Sequence, residues 1–339
     1  MPAPRTIKSI FNAVKLLPGI NPSIKKMMTK KVAKMPEASK ILVLMADEVS
    51  LQKGVTYCKR KDTMLGFQDH GHLGKGKKVA SHAFTFMVKS VYSNFKLPVA
   101  HYAAGDNLNG EDIAKLTEKV ISEVQTTGLR IKGLIWDGPS KNRKASRILG
   151  ATKESPSFCV NGEKIYVFSD PPHLLKAVRN SFLSHDFHHN GHDIKWEYVT
   201  KFAELDATLP ARIAPKLTSS HLEPRDSRQK MCVKRAAQAL SSSTAAGLYT
   251  HATFGNLPHE ACFTADVILQ FDRLMDSFNG TTEADPQNPP LKMYKVALTD
   301  ASPHLGLWAE VKTMLQVCTN NVVLVFTFYS LTCGCTEII

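Results

Sequence analysis

Three aspartates each follow a short apolar run of the sequence. A carboxylate at the end of a buried strand is well placed to bind a metal ion. Asp47 follows "ILVLMA", Asp137 follows "IKGLIW" and Asp170 follows "KIYVFS". Carboxylate oxygens are hard ligands that suit Mg2+ or Mn2+. Two carboxylates on neighbouring strands, together with one more acid, can hold a pair of ions about 4 Å apart, an arrangement that supports attack on a phosphodiester. The sequence therefore predicts a divalent metal site at strand ends, with these aspartates as candidate ligands.

Each aspartate also has an ordinary structural explanation, in which it caps a turn or the next helix. This explanation fits Asp170 best, because two prolines follow it and suit the first positions of an apolar helix. It fits Asp137 less well, since the tryptophan before it predicts burial beside the charge. Asp47 has no obvious helix to cap, and Glu48 should point to the opposite face of the strand. We therefore interpret Asp170 first as a helix N-cap and only second as a metal ligand.

Two basic stretches could contact nucleic-acid phosphates. "GHLGKGKK", residues 71–78, nearly fits a phosphate-binding loop, but lysine replaces the metal-binding hydroxyl and a strand-like segment follows instead of a helix. We interpret it as a basic hairpin loop. Between residues 212 and 235 cations far outnumber acids, which fits a phosphate-contact surface or, nearly as well, a solvated helix face. The candidate contacts are Lys75, Lys77, Lys78, Arg212, Lys216, Lys230, Lys234 and Arg235.

Histidines and cysteines give weaker indications of a metal site. Four histidines cluster in "HDFHHNGHD", residues 185–193, but no cysteine accompanies them, and a polar loop around Asn190 and Gly191 is the favoured interpretation. The seven cysteines are scattered and include no C-x-x-C pair, which predicts reduced thiols and argues against a zinc module.

The charge of the chain favours a polyanionic partner. Lysine and arginine total 43 against 30 acidic residues, a formal charge of +13 over 339 residues. Residues 1–40 hold nine of these cations and one acid, which predicts a basic binding arm, with a mitochondrial presequence as the minority interpretation. No apolar run reaches the length of about 20 residues that a spanning helix needs, so no membrane partner is predicted.

The order of predicted elements indicates a mixed α/β fold. Strand patterns at 41–46, 55–60 and 80–91 are followed by a helix at 111–127. A strand, a helix, another strand and another helix then alternate, which is typical of a mixed sheet covered by helices. Beyond about residue 195 strand patterns fade and a mainly helical region is expected. The predicted domains are a basic segment at 1–40, a core at 41–195, a helical domain at 196–317 and a tail at 318–339.

Several phrases of the sequence, in order, resemble the catalytic region of P-element-type transposases, relatives of the THAP-domain transposase-derived proteins. They include "LMADEVSL", "GLIWDGPSKN", "FSDPPHLLKAVRN" and "ARIAPKLTSSHLEPRD". The resemblance covers roughly residues 10–315. It implies a ribonuclease-H-like fold interrupted by a helical insertion, with Asp47 and Asp137 as the first and second catalytic acids. Such enzymes cut and join DNA phosphodiesters with Mg2+, work in the nucleus, and bind GTP through the insertion.

The sequence also departs from the family pattern. No cysteine/histidine zinc module precedes the core, no guanine-reading Asn-Lys-x-Asp element is recognisable, and residues 318–339 do not resemble the family. The family's third acid, a glutamate on a helix after the insertion, is not found. We therefore expect a DNA-binding, transposase-like protein whose catalysis is crippled. The alternative is a non-catalytic remnant that binds nucleic acid, associates with itself or assembles with a full-length transposase.

Overall fold

The computed structural model describes residues 18–59, 62–105, 108–138, 140–152, 155–280, 294–296 and 302–318. The chain forms two compact units, Met1–Phe168 and Ser169–Ile339. The sequence predicted the change from core to helical domain at residue 195, whereas the units divide at the end of the strand Glu163–Ser169 (β11), between Phe168 and Ser169. Most of the predicted tail, most of the connector at 278–291 and the first 17 residues lie outside the described residues.

The first unit is built on one mixed nine-stranded sheet with the strand order β10-β11-β9-β2-β7-β8-β5-β6, and β1 pairs with β8. Strand β2 is central: it pairs antiparallel with β7 on one side and parallel with β9 on the other. Strands β3 and β4 form a separate ribbon. The strand bounds are β1 Gly19–Ile20, β2 Ile41–Ser50, β3 Thr56–Cys58, β4 Thr63–Leu65, β5 Phe67–Asp69, β6 Lys75–Val79, β7 His82–Ser90, β8 Lys96–Ala104, β9 Arg130–Trp136, β10 Ser157–Val160 and β11 Glu163–Ser169.

Helices of the first unit follow from apolar spacing and capping. They are α1 (Pro22–Val32), α2 (Gly110–Gln125) and α3 (Ser140–Leu149). Helix α2 begins where the side chain of Asn109 accepts a hydrogen bond from the backbone N–H of Asp112, 2.9 Å away. Its apolar stripe belongs to the same buried core as alternate residues of β2, so the helix covers one face of the sheet and fixes which side chains of β2 point outward. The buried stripe comprises Ile113, Leu116, Val120, Ile121 and Val124.

The structure confirms the mixed α/β class but corrects the strand arrangement. The segment predicted at 55–60 does not join the main sheet, because β3 pairs only with β4. The neighbour of β2 is β7, and the third antiparallel strand is β8, which the alternation of apolar residues did not reveal. Strand β2 also continues to Ser50 instead of ending at Ala46.

The second unit is mainly helical, as expected for this part of the chain. A hairpin of β12 (Phe187–His189) and β13 (His192–Ile194) contains the histidine cluster, which was predicted to be a loop. Asn190 and Gly191 form its turn, with φ of 50° and 80°. None of the helices in the described ranges has the length and apolar character needed to cross a membrane. The helices are α4 Pro171–Phe182, α5 Trp196–Ala207, α6 Ser219–Leu222, α7 Ser227–Lys230, α8 Val233–Ala239, α9 Ser242–Thr253, α10 Ala261–Phe278 and α11 His304–Cys318.

Candidate metal centre and basic cleft

Asp47 and Asp137 occupy equivalent positions on two adjacent parallel strands. The last paired residues of β2 and β9 are Ala46 and Trp136; Asp47 is the next residue of β2, and Asp137 is the first residue after β9. Pairs across a parallel ladder share a face, so Asp47 continues the face of β2 that carries Met45, the partner of Ile135 on β9. The topology therefore brings these two predicted ligands to one edge of the sheet, at the carboxyl end of both strands.

Asp47 is exposed and held by its own strand. Its Oδ1 accepts a hydrogen bond from the backbone N–H of Glu48, 2.8 Å away, and its carbonyl accepts one from the hydroxyl of Thr85 at 3.1 Å. The strand continues beyond Asp47 because β7 still pairs with it, while β9 has already ended. One side of β2 is thus uncovered from this residue onward. The neighbouring carboxylate of Glu48 lies on the other face, as strand alternation predicted.

Asp137 is half-buried and is oriented by the helix that follows it. The side-chain amide of Asn142, in α3, donates to Oδ1 of Asp137 at 2.7 Å and to its carbonyl at 3.2 Å. Asn142 is only 4% exposed, so its amide has little freedom to turn away. This positioning residue was not predicted from the sequence. The available signal was its spacing: Asn142 comes five residues after Asp137, in the first turn of α3.

Asp170 belongs to the second unit and takes the position predicted for a helix N-cap. It precedes α4, and its backbone carbonyl accepts hydrogen bonds from the N–H groups of His173 and Leu174. Its side chain makes no capping hydrogen bond; its Oδ2 lies 3.3 Å from Nδ1 of His173 instead. Within the described parts of the chain, no group of three or more His, Cys, Asp or Glu side chains is placed to hold a metal ion.

The lysines predicted in a hairpin loop lie on a strand. The turn is formed by residues 71–74, and Lys75, Lys77 and Lys78 belong to β6, the edge strand of the sheet. All three side chains are exposed. Lys75 Nζ lies 3.8 Å from Oδ2 of Asp69 on the neighbouring strand. The prediction of a loop was therefore wrong: these three lysines lie along the edge strand of the sheet.

Several cations of the second basic stretch converge on a cleft of about 690 Å3 in the second unit. Arg212 and Lys216 line it from the segment after α5, and Lys234 lines it from α8. Polar and apolar side chains both line it, and Lys216 and Lys234 are exposed. Lys230 and Arg235 are not among the residues that line it. The other polar groups of the cleft are Gln238, Ser241 and Ser243.

Arg212 differs from the other cations because the fold itself uses its guanidinium. Its Nε lies 3.1 Å from Oδ2 of Asp206, a fully buried carboxylate, and its Nη2 donates to the carbonyl of Leu217 at 2.8 Å. Oδ1 of Asp206 also accepts the backbone N–H of Ile213 at 2.6 Å. This network fixes the wall of the cleft, so Lys216 and Lys234 are the cations best placed to meet a ligand.

The fold and this site define a class of protein: a ribonuclease-H-like core, with two acids at the ends of adjacent parallel strands, joined to a helical unit. Comparisons with known proteins agree with this class. Residues 16–150 match the family described as "TNP-like, RNase H N-terminal domain", and residues 172–287 match "TNP-like, GTP-binding insertion domain". The second match is notable because the sequence contains no recognisable Asn-Lys-x-Asp element.

Individual relatives agree with the domain matches. The chain is 24% identical over 246 residues to the Transposable element P transposase of Drosophila melanogaster, covering 72% of the chain and 30% of that relative. Its fold is similar to that of the solved "Drosophila P element transposase strand transfer complex", with a TM-score of 0.79, 18% identity, and coverage of 100% of this chain and 73% of that one. Together these comparisons support a P-element-type, transposase-like chain, which spans 30% of the length of the curated relative.

Proposed function

We propose that this protein binds DNA in the nucleus and that Asp47 and Asp137 are its Mg2+ ligands, inherited from a site that cuts and joins phosphodiesters. The observation that carries the proposal is the register of β2 and β9, in which the two aspartates follow the paired residues Ala46 and Trp136. The donor set fits the ion, because hard carboxylate oxygens on rigid strands are the ligands that Mg2+ prefers.

The residues present suggest a division of labour. The strands fix the spacing of the two carboxylates, and Asn142 holds the orientation of Asp137. When bound, the metal would supply activation of the attacking oxygen and stabilisation of the leaving oxygen. Two carboxylates are a sparse ligand set for a metal pair, so we propose that this chain alone holds metal weakly and cuts DNA poorly. A full-length transposase or a second copy of the chain is the proposed partner.

A metal-binding measurement tests the ligand assignment. Mn2+ bound to the purified chain can be followed by electron paramagnetic resonance, and we expect weak but measurable binding. Asp47→Asn and Asp137→Asn should each weaken it at least about tenfold. Glu48→Gln is the matched control, because it removes a neighbouring carboxylate on the other face of the same strand. Equal losses in all three variants would show a diffuse effect of surface charge and would contradict the assignment.

Measurements of DNA binding and DNA cleavage distinguish a catalytic protein from a non-catalytic DNA-binding protein. We expect the chain to bind DNA in a salt-dependent way, with Asp47→Ala binding as well as the wild type and neither cutting DNA in Mg2+. Mg2+-dependent cutting that disappears in Asp47→Ala would overturn the proposed loss of activity. Absence of binding at low salt would overturn the nucleic-acid function as a whole.

We further propose that the cleft lined by Lys216 and Lys234 binds GTP. Its volume of about 690 Å3 lies in the range of small-molecule sites. Two exposed cations can meet the phosphates, the apolar lining residues Ile213 and Leu217 can meet the base, and all of these residues lie within the segment that matches a GTP-binding insertion domain. This proposal concerns the second unit alone and is independent of the aspartates of the first.

Fluorescent GTP titration tests the cleft. Lys216→Ala and Lys234→Ala should each lower the affinity for GTP at least about tenfold, because each would remove a charge-assisted contact to phosphate. Lys230→Ala is the matched control, since it removes an exposed cation from the same basic stretch that does not line the cleft. Equal effects of all three variants, or no GTP binding by the wild type, would contradict the proposal.

A further inference from the structure

Residues 49–59 and 62–67, which we call the apolar ribbon, expose an unusual amount of apolar surface. Of the 14 large hydrophobic side chains that are exposed in the described residues, seven lie in this short stretch. Surface apolar residues scattered singly need no explanation, but a concentration of this kind marks an interaction site. The seven are Val49, Leu51, Val55, Tyr57, Met64, Leu65 and Phe67.

Both faces of the ribbon are uncovered. Tyr57 and Met64 are cross-strand partners on one face, each 51% exposed, and the next pair, Thr56 and Leu65, places Leu65 on the other face with 44% exposure. A two-stranded ribbon that packs neither face on a core is only marginally stable in water. The arrangement therefore suits a ribbon that is covered when a partner binds.

The base of the ribbon is nevertheless fixed to the sheet. Leu51 N–H donates to the carbonyl of Ser81, and Ala80 N–H donates to the carbonyl of Gly66, both at 2.8 Å. Gly66 has φ of 110°, and a Cβ there would lie 2.0 Å from the carbonyl oxygen of Gly54, so only glycine permits this close approach. The ribbon therefore projects from a defined point, one that directly continues the strand of Asp47.

The chemistry of the ribbon indicates what covers it. Its cations within the described residues are Lys53 and Lys59, both exposed, against one acid, Asp62. A two-fold contact through the ribbon would bring these lysines of two copies to the same interface, which opposes self-association at this surface. Cations mixed with an exposed aromatic ring and flat apolar surface are instead the features that bind unpaired nucleotides, whose phosphates are charged and whose bases stack.

We propose that the apolar ribbon binds unpaired DNA bases beside the Asp47–Asp137 edge, with Tyr57 as the stacking platform; this inference rests on the proposed DNA-binding function. Leu51 is four residues beyond Asp47, about 13 Å along an extended strand. Unpaired nucleotides next to the phosphodiester at that edge would therefore reach the ribbon. The substrate class is DNA with a single-stranded or distorted segment at the reacting position.

The ring of Tyr57 is already held in place. Its hydroxyl donates to Oδ1 of Asp62 across the end of the ribbon. The carboxylate stabilises the protonated hydroxyl and so raises the pKa of Tyr57 above its ordinary value. A ring fixed before binding loses less conformational freedom when a base stacks on it.

Fluorescence anisotropy of labelled DNA tests the inference, using the full chain and two DNAs of equal length, one fully paired and one forked with unpaired nucleotides. The wild type should bind the forked DNA more tightly. Tyr57→Ala should weaken binding of the forked DNA about fivefold or more without affecting the paired DNA, and Tyr57→Phe should retain most of the preference. The matched control is Tyr92→Ala, which removes a tyrosine that is 66% exposed just after β7, at the opposite edge of the sheet.

The outcomes distinguish this inference from the proposed function. Paired DNA bound without any preference for the forked form would overturn the ribbon site and leave DNA binding intact. The same follows if Tyr57→Ala and Tyr92→Ala behave alike, or if light scattering shows a dimer that only Tyr57→Ala dissociates. No binding of either DNA would overturn both proposals.

Discussion

Asp272, on α10, shows how the fold can change the chemistry of a single residue. Burial of this carboxyl, with Asp276 one turn away, raises its pKa to about 6, although the hydroxyl and backbone N–H of Ser242 and the charge of Arg273 act in the opposite direction. An unperturbed aspartate titrates near 4. The folded chain therefore holds this proton over a pH range in which the unfolded chain has released it.

The sign of the pH dependence follows from this difference. Because the folded state binds more protons between about pH 4 and 6, Asp272 lowers the free energy of unfolding as pH rises through that window. Asp272→Asn should therefore stabilise the protein at pH 7, by about 1–2 kcal/mol once solvent screening is allowed for. Its advantage should shrink at pH 4.5. Urea unfolding at the two pH values measures this; an equal gain at both would contradict the assignment.

At the scale of elements, the sequence predicted what depends on local patterns. Helix α2 was predictable from its apolar spacing, and the first part of β2 from a branched apolar run of six residues, which is typical of a buried strand. The sequence also suggested that Asp47 and Asp137 follow neighbouring strands, because each comes directly after a predicted strand, and β2 and β9 do pair. The hydrogen bond from the amide of Asn142 to Asp137 could not be predicted, because it depends on how α3 packs.

Other elements were missed because tertiary contacts decide them. Strand β2 extends beyond its apolar run to Ser50 only because β7 pairs with it there. Strand β3 has the composition of a sheet strand, yet it pairs with β4 away from the main sheet, and no local pattern distinguishes these fates. The histidine segment was read as a loop because polar residues conceal the alternation of its hairpin. Local sequence thus predicted the elements better than their partners.

For the whole molecule, the excess of positive charge should govern how DNA binding responds to salt. Each phosphate that a cation neutralises adds about −0.9 to the slope of log K against log salt. The net charge of +13 could act diffusely, or particular rows of cations could make the contacts. The exposed lysines of β6, at 75, 77 and 78, form one such row in the first unit.

A pair of triple variants separates these possibilities. Replacing Lys75, Lys77 and Lys78 by glutamine should reduce the size of the salt slope by about 2–3 if each contacts a phosphate. The matched control replaces Lys119, Lys132 and Lys201, which removes the same charge from lysines already paired with glutamates. Those surface pairs contribute little to folding, so the control should remain folded. Titrations of paired DNA between about 50 and 200 mM salt measure both slopes. Equal reductions would mean that net charge, and not the edge of β6, carries the binding.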